Sequence, residues 1–396
     1  HALHIDHSSA SFMAVPDHRY LVIGPKGYTA AHITRAATDP DLRASAGADY
    51  IAIGPPDLLT PLQPLLDWHT SQNLKTITVP VEAIYDQFSD GRVEPEAIRA
   101  FLKYAVANWK TAPKYVLLVG DSTYDPLGYS APPDGNRLPA FFVQTSYGGE
   151  TASDVMFVQL HDDSQLPDVA IGRVPARTAD QVRVWVDKTL TYSRSAPGGD
   201  WRQRVLAVAD GQEAVFADDA KTFLDSFPQK YQGTFLTPMA NVPGANQQVL
   251  AKFSDGNFLV AYFGHGSVTQ WGKDNLFTVN DVKSTSNGDR LPIVLNMTCL
   301  TGLFTHPKVQ SLAETLLWKQ GGGAVAVLAP TSLTLSDDQG FLSRALVTSY
   351  LASTNKPLGD LLLSAWRQIP LDGAGTLDVL RTFLLFGDPA LKIVGP

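Results

Sequence analysis

Glu94-Pro-Glu-Ala-Ile-Arg-Ala-Phe-Leu-Lys-Tyr-Ala105, followed shortly by Tyr115-Val-Leu-Leu-Val-Gly-Asp121, decides the fold. The first stretch opens with acids and a proline in its first turn, which suit the exposed N–H groups and positive end of a helix dipole. The second is a short unbroken apolar run stopped by glycine, the pattern of a strand buried on both faces. A helix that feeds such a strand implies a right-handed crossover and a mainly parallel sheet. Upstream the alternation continues through Tyr20-Leu-Val-Ile-Gly24, Tyr50-Ile-Ala-Ile-Gly54, a helix over 62–74 and a strand over 75–79. Residues 122–150, rich in Pro, Gly, Ser and Asn, read as a long loop. A strand over 168–173 and an amphipathic helix over 179–194 follow. Ser195-Ala-Pro-Gly-Gly-Asp200 reads as a linker. Beyond it strands at 204–210, 233–237, 258–263, 291–297 and 323–328 alternate with helices at 218–227, 247–253, 312–319, 340–351 and 358–369, before a last apolar segment, 382–386. The chain therefore reads as α/β: a tail over 1–18, a smaller unit over 19–195 and a larger one over 196–396.

The composition narrows the function. Of 396 residues, 31 are Lys or Arg and 39 Asp or Glu, giving a net charge of −8 that opposes nucleic-acid phosphate. A hydrophobic share of 44% against 18% charged excludes global disorder. No apolar run reaches the roughly 18 residues of a membrane span. One cysteine, Cys299, excludes an internal disulfide framework and a cysteine-based zinc site. The chain starts at His1 without methionine, which reads as a processed piece of a longer precursor. His1, His4 and His7 read as tail, not as a metal site.

In open α/β sheets ligands bind beyond the carboxyl ends of strands. Two ends stand out, Phe263-Gly-His-Gly-Ser267 and Asn296-Met-Thr-Cys-Leu-Thr-Gly302. Taken singly, His265 reads as a hydrogen-bonded turn histidine and Cys299 as a small core filler. Taken together, a histidine between two glycines and a cysteine at a neighbouring strand end make a thiol nucleophile with an acid/base partner. There is no Gly-x-Ser-x-Gly elbow, His-Glu-x-x-His motif, Walker A or dinucleotide fingerprint.

These two segments, with 115–121, 167–173, Leu190-Thr-Tyr192, Tyr262–Ser267, Trp271-Gly272 and Thr382-Phe-Leu-Leu-Phe-Gly-Asp-Pro-Ala-Leu391, resemble in order the catalytic domain of the gingipain family of cysteine peptidases. That family belongs to the clan that also holds caspases. The resemblance implies a caspase-like architecture of two side-by-side, mainly parallel sheets in three α/β/α layers. It also implies a secreted or cell-surface endopeptidase with an upstream pro-segment and a polypeptide substrate. Cys299 would be nucleophile and His265 acid and base, with the N–H groups of Gly266 and Cys299 as oxyanion hole. Asp210 and Gln212 are candidates to orient the histidine. An Arg or Lys side chain before the scissile bond would meet Asp218, Asp219, Asp337 or Asp338; each also reads as a helix N-terminal charge. No cofactor is required for catalysis. Asp154, Asp162, Asp163 and Asp168 are candidates for a structural Ca²⁺ site, with a solvated acidic turn as the plainer reading. Two alternatives stay open: a catalytically retired relative that binds peptides or a surface complex, and a transpeptidase working with the same dyad.

Overall fold

The structure, a computed structural model, describes residues 40–130, 135–238 and 244–396, with scattered positions before residue 40. Leu21 and Val22 of the strand expected at 20–24 lie outside the described residues, as do His1 and His7. Residues 1–40 form a unit of their own, in which His4–Asp6 pairs antiparallel with Ser9–Ser11.

Within 41–396 the apolar runs become the strands of one sheet: β1 (Tyr50–Gly54), β2 (Thr76–Pro80), β3 (Tyr115–Val119), β4 (Ala170–Val174), β5 (Arg204–Ala209), β6 (Gln232–Leu236), β7 (Leu259–Phe263), β8 (Ile293–Met297), β9 (Ala326–Pro330) and β10 (Phe383–Phe386). Their order is β6-β5-β7-β8-β9-β10-β4-β3-β1-β2. The two expected sheets lie side by side and join as one through β10. This last strand runs antiparallel to β9 and meets β4 at a single register pair, Phe386 opposite Arg173. The remaining neighbours pair in parallel.

Among the described residues the helices of seven residues or more that flank the sheet are α1 (Gln63–Ser71), α2 (Val81–Phe88), α3 (Pro95–Asn108), α4 (Ala179–Ser195), α5 (Ala214–Asp225), α6 (Ala245–Ser254), α7 (Leu312–Trp318), α8 (Ser336–Ala352), α9 (Leu358–Trp366) and α10 (Ala374–Thr382). Because strand side chains alternate, each strand feeds two cores. Tyr50, Leu117, Leu206 and Val208 face one layer with α1, α4, α6 and α7, and form a single core spanning both halves of the sheet. On the other face, Ile51 and Leu118 pack with α2 and α3, while Val205 and Ala207 pack with α5, α8, α9 and α10. The result is three layers, α/β/α. No helix among the described residues is long and apolar enough to cross a membrane.

Four elements were not legible as such, one of them helix α10 over Ala374–Thr382. Helix α2 follows strand β2 with no turn between, Pro80 ending the strand and standing at the helix N-cap. The expected loop 122–150 contains most of a hairpin, Phe141–Thr145 with Gly149–Ser153; the Phe-Phe-Val start of its first strand carries a strand signal that the surrounding Pro, Gly and Ser obscured, while its second strand is mostly polar. Helix α5 starts at Ala214, earlier than the expected 218, with Glu213 at its N-cap.

Candidate active site

Strands β7 and β8 are parallel neighbours with Phe263 opposite Met297. The Gly264 N–H donates to the Met297 carbonyl at 3.3 Å, which carries the pairing past the strand ends. His265 and Cys299 thus leave the sheet at the same level. Gly264 has φ +152°, and a Cβ there would stand 2.4 Å from Asp210 Cβ and 2.6 Å from Tyr262 Oη. A Cβ on Gly266 would stand 2.4 Å from Thr298 Oγ1 and 2.8 Å from the Cys299 carbonyl. Glycine is needed at 264 for the close approach of Asp210 and Tyr262, and at 266 so that the two loops can touch.

The main chain of His265 is fixed from three sides. Its carbonyl accepts from Tyr262 Oη at 2.7 Å and from the Gly272 N–H at 2.7 Å. Its N–H donates to Asp210 Oδ2 at 3.4 Å. Burial, with the Asp210 charge adding to it, pushes the Tyr262 phenol well above its ordinary value, so the hydroxyl remains a donor. Tyr262 stacks on Trp271 at 4.7 Å and 2°, and Trp271 Nε1 donates to Asn296 Oδ1 at 3.0 Å. The edge of Phe216 packs on the imidazole at 5.2 Å. His265 Nε2 lies 2.9 Å from Glu213 Oε1.

Glu213 is the carboxylate at His265 that sequence reasoning missed. It occupies an N-cap position yet makes no capping bond; its carboxylate goes to the imidazole instead. The two residues expected in that role do other things. Asp210 is buried and ties main chain together, accepting from the Gln212 N–H at 3.0 Å as well as from His265. Gln212 Nε2 turns outward to Asp274 Oδ2 at 3.0 Å. The available signal was a carboxylate just ahead of a helix near the end of β5.

Cys299 is half-buried, and its Sγ donates to the Thr334 carbonyl at 3.5 Å. Burial pushes the thiol above its ordinary value. The next residue, Leu300, has φ +59°, a left-handed conformation costing a non-glycine residue about 1–3 kcal/mol. Main-chain bonds hold it there: Leu300 N–H to Ser332 O at 3.1 Å, Thr301 N–H to Cys299 O at 2.8 Å and Gly302 N–H to Pro330 O at 2.8 Å. The Cys299 N–H has no protein acceptor among the described residues.

The four acids expected to line a basic pocket lie on two helices, α5 and α8, and are near enough to act on one another's charge. Asp218 and Asp219 sit inside α5, beyond its first turn, because the helix begins earlier than expected. Asp218 is exposed, 4.0 Å from Lys221. Burial raises the Asp219 carboxyl, with Arg344 opposing and Asp337 and Asp218 adding to the rise. Asp337 and Asp338 do lie in the first turn of α8. Burial also raises Asp338, helped by the charges of Asp337 and Asp378; this side chain packs over Gly375.

The calcium candidates are dispersed. Asp154 is fully engaged by Arg173, whose Nε and Nη2 reach it at 2.8 and 2.7 Å in the core. Asp162 faces Lys103 at 3.2 Å. Asp168 accepts from the Leu160 N–H and pairs with His161 Nδ1 at 2.8 Å. Among the described residues no group of three or more His, Cys, Asp or Glu is placed to hold a metal ion, so these side chains do not fit the role.

The chain is similar to several known proteins. Gingipain R2 of Porphyromonas gingivalis strain W83 is 24% identical over 362 residues, which is 87% of this chain but 45% of the relative. The chain thus spans under half the length of that curated protein. A crystal structure of the Arg-specific cysteine proteinase gingipain R superposes with a TM-score of 0.72 at 22% identity, covering 89% of this chain and 80% of that one. A complex of Porphyromonas gingivalis RgpB pro- and mature domains gives the same TM-score and identity over 87% of this chain and 79% of that chain. A model of peptidase family C25 matches residues 43–394, a span that takes in every strand of the ten-stranded sheet and both candidate loops. The chain belongs to peptidase family C25.

Proposed function

We propose that the chain is a cysteine endopeptidase acting through Cys299 and His265, with Glu213 as the group that orients the histidine. The observation that carries this reading is the shared level of the β7 and β8 ends, joined to the carboxylate on His265 Nε2. With Nε2 held by Glu213, Nδ1 is the ring nitrogen left for proton transfer. As Cys299 Sγ bonds to the scissile carbonyl carbon, its proton passes to His265 and the carbonyl π pair moves to oxygen. The N–H groups of Gly266 and Cys299 receive that oxyanion, a contribution of about 3 kcal/mol per donor in comparable sites. Collapse breaks the C–N bond, and the proton goes from His265 to the departing amine. Water then attacks the thioester, giving a proton to His265; the C–S bond breaks and the thiol is restored. The 196–396 half supplies all these groups and is the catalytic half in this reading. An upstream pro-segment, as in the RgpB complex, and an extracellular address belong to the same reading.

The Cys299 bond to Thr334 and its raised thiol favour a second reading, a latent or retired form. Labelling with peptidyl acyloxymethyl ketones separates the two. Modification of Cys299 that is lost in His265→Ala is the expected result. Cys299 that reacts with iodoacetamide only after denaturation would sink the peptidase reading. Product analysis with an added amine distinguishes hydrolysis from transpeptidation.

A further inference from the structure

We infer that the residue preceding the scissile bond is large and apolar, not basic, and that Leu333 and Leu335 receive it. The inference rests on the peptidase reading above and supplies its substrate class. Thr334 O, the acceptor of the Cys299 thiol, lies between two leucines that are 37% and 48% exposed. These leucines flank the residue that holds the candidate nucleophile's thiol and keep apolar surface open to solvent, and fully burying such a side chain stabilises a complex by roughly 1.5–3 kcal/mol. Tyr147, 51% exposed, borders the same place. Its neighbour Gly148 is so close to Ser332 that a Cβ would stand 2.2 Å from Oγ, and Thr145 Oγ1 meets Ser332 Oγ at 3.0 Å. Phe341 stands exposed further along α8, whose Gln339 binds the Thr298 and Thr334 carbonyls. On the other side, the exposed Tyr124 gives its N–H to Thr305 of the nucleophile loop and packs on His306.

This distribution is uneven. Apart from Val93, every exposed large apolar side chain among the described residues of 41–396 lies on the segments 124–129, 147 and 333–341. Concentration of apolar surface at one site marks a binding surface, and here its continuity with Cys299 names the occupant, an extended peptide. Of the acids that would favour Arg or Lys, Asp219 is set against Arg344, which packs on Phe341, and Asp338 packs against Gly375 with Asp378 close by; the exposed Asp337, between Leu335 and Phe341, is the one the peptide series weighs against the leucines.

The test uses fluorogenic peptides, identical except for Leu, Phe, Met, Arg or Lys before the scissile bond, on the full chain and on Leu333→Asp and Leu335→Asp. A preference of about tenfold or more in kcat/KM for Leu, Phe or Met is expected, the scale on which apolar pockets discriminate. Each variant should lose most of that preference while iodoacetamide still alkylates Cys299 at the parental rate. Preferred cleavage after Arg or Lys, or an apolar preference unmoved by both variants, overturns the inference with the peptidase reading intact. No cleavage of any peptide, together with a Cys299 inert to every acyloxymethyl ketone, removes that reading and this one with it.

Discussion

Replacing Glu213 isolates what the missed residue does. The carboxylate stands 2.9 Å from His265 Nε2, with the ring 33% and the carboxylate 54% exposed, so water screens the pair. At that exposure an ion pair contributes about 1 kcal/mol, rising towards ~2 kcal/mol once a bound peptide excludes water. The interaction grows when the imidazole takes the thiol proton, so its loss is felt in the transition state and should lower kcat with KM little changed. One to two kcal/mol corresponds to roughly five- to thirtyfold. Glu213→Gln keeps an acceptor for Nε2 but removes the charge; Glu213→Ala removes both. If charge matters most, the two variants should fall together; if orientation matters most, Glu213→Gln should stay near the parent. Steady-state kinetics on the best peptide substrate, with thermal melts alongside, reads this directly. Melting should hardly move, because Glu213 makes no capping bond. Parental kcat in Glu213→Ala would refute the role.

Gly266→Ala would put a Cβ 2.4 Å from Thr298 Oγ1 and 2.8 Å from the Cys299 carbonyl, forcing the two loops apart. Activity should drop about a hundredfold, as ångström-scale displacement of reacting groups costs, against a stability loss of about 1–3 kcal/mol measured in urea. Asp121 is buried against Arg177 at 2.5 Å, and burial lifts its carboxyl to about 7. The folded state therefore keeps a proton that the unfolded chain releases near 4, and stability should fall as pH rises from about 4 to 7 and level off above. Asp121→Asn should flatten that part of the curve in urea melts at several pH values; an unchanged slope would exclude Asp121 as its source. Arg173→Met leaves Asp154 charged and buried without its partner and should cost about 3–5 kcal/mol, much of it recovered when Asp154→Leu is added. Denaturant midpoints of the single and double variants check this.

Much of the fold was legible because its strands are continuous apolar runs buried on both faces, a pattern few other structures share. Tyr115–Val119 and Leu259–Phe263 are examples. The single sheet was not legible, because it depends on where Phe383–Phe386 is inserted, and four apolar residues carry no information about their neighbours. At the site, His265 and Cys299 could be found because glycines and strand ends frame them. Glu213 could not be separated from Gln212 by position: the choice rests on where α5 begins, and a one-residue shift in a turn reverses which side chain points inward. The acids at 218 and 219 were misplaced for the same reason. Asp154 read as a cation ligand because nothing local announces that Arg173, across a strand connection, has claimed it.

Both residues of the proposed dyad come from the second half of the sheet, yet the loop that carries Cys299 is anchored at the seam with the first. The loop from Thr298 to Ser311 carries Leu300 in a conformation it would leave if released, so its anchors matter. Ser332 and Pro330 hold the near end. The far end is held by the other half: Tyr124 donates to Thr305 at 3.0 Å, and the Arg173 guanidinium covers the Phe304 ring at 4.9 Å. Arg173 is itself locked by Asp154 and by the Gly120 carbonyl at the end of β3. Glu314, which closes the loop by accepting the Ser311 N–H at 2.8 Å, is a buried carboxyl beside Asp121 of the first half. One contiguous set of contacts therefore runs from the buried ion pair of β4 to the residue after the nucleophile. A disturbance at that seam should misplace Cys299 before it unfolds the protein, because the loop it braces stores strain while the two cores on either side do not.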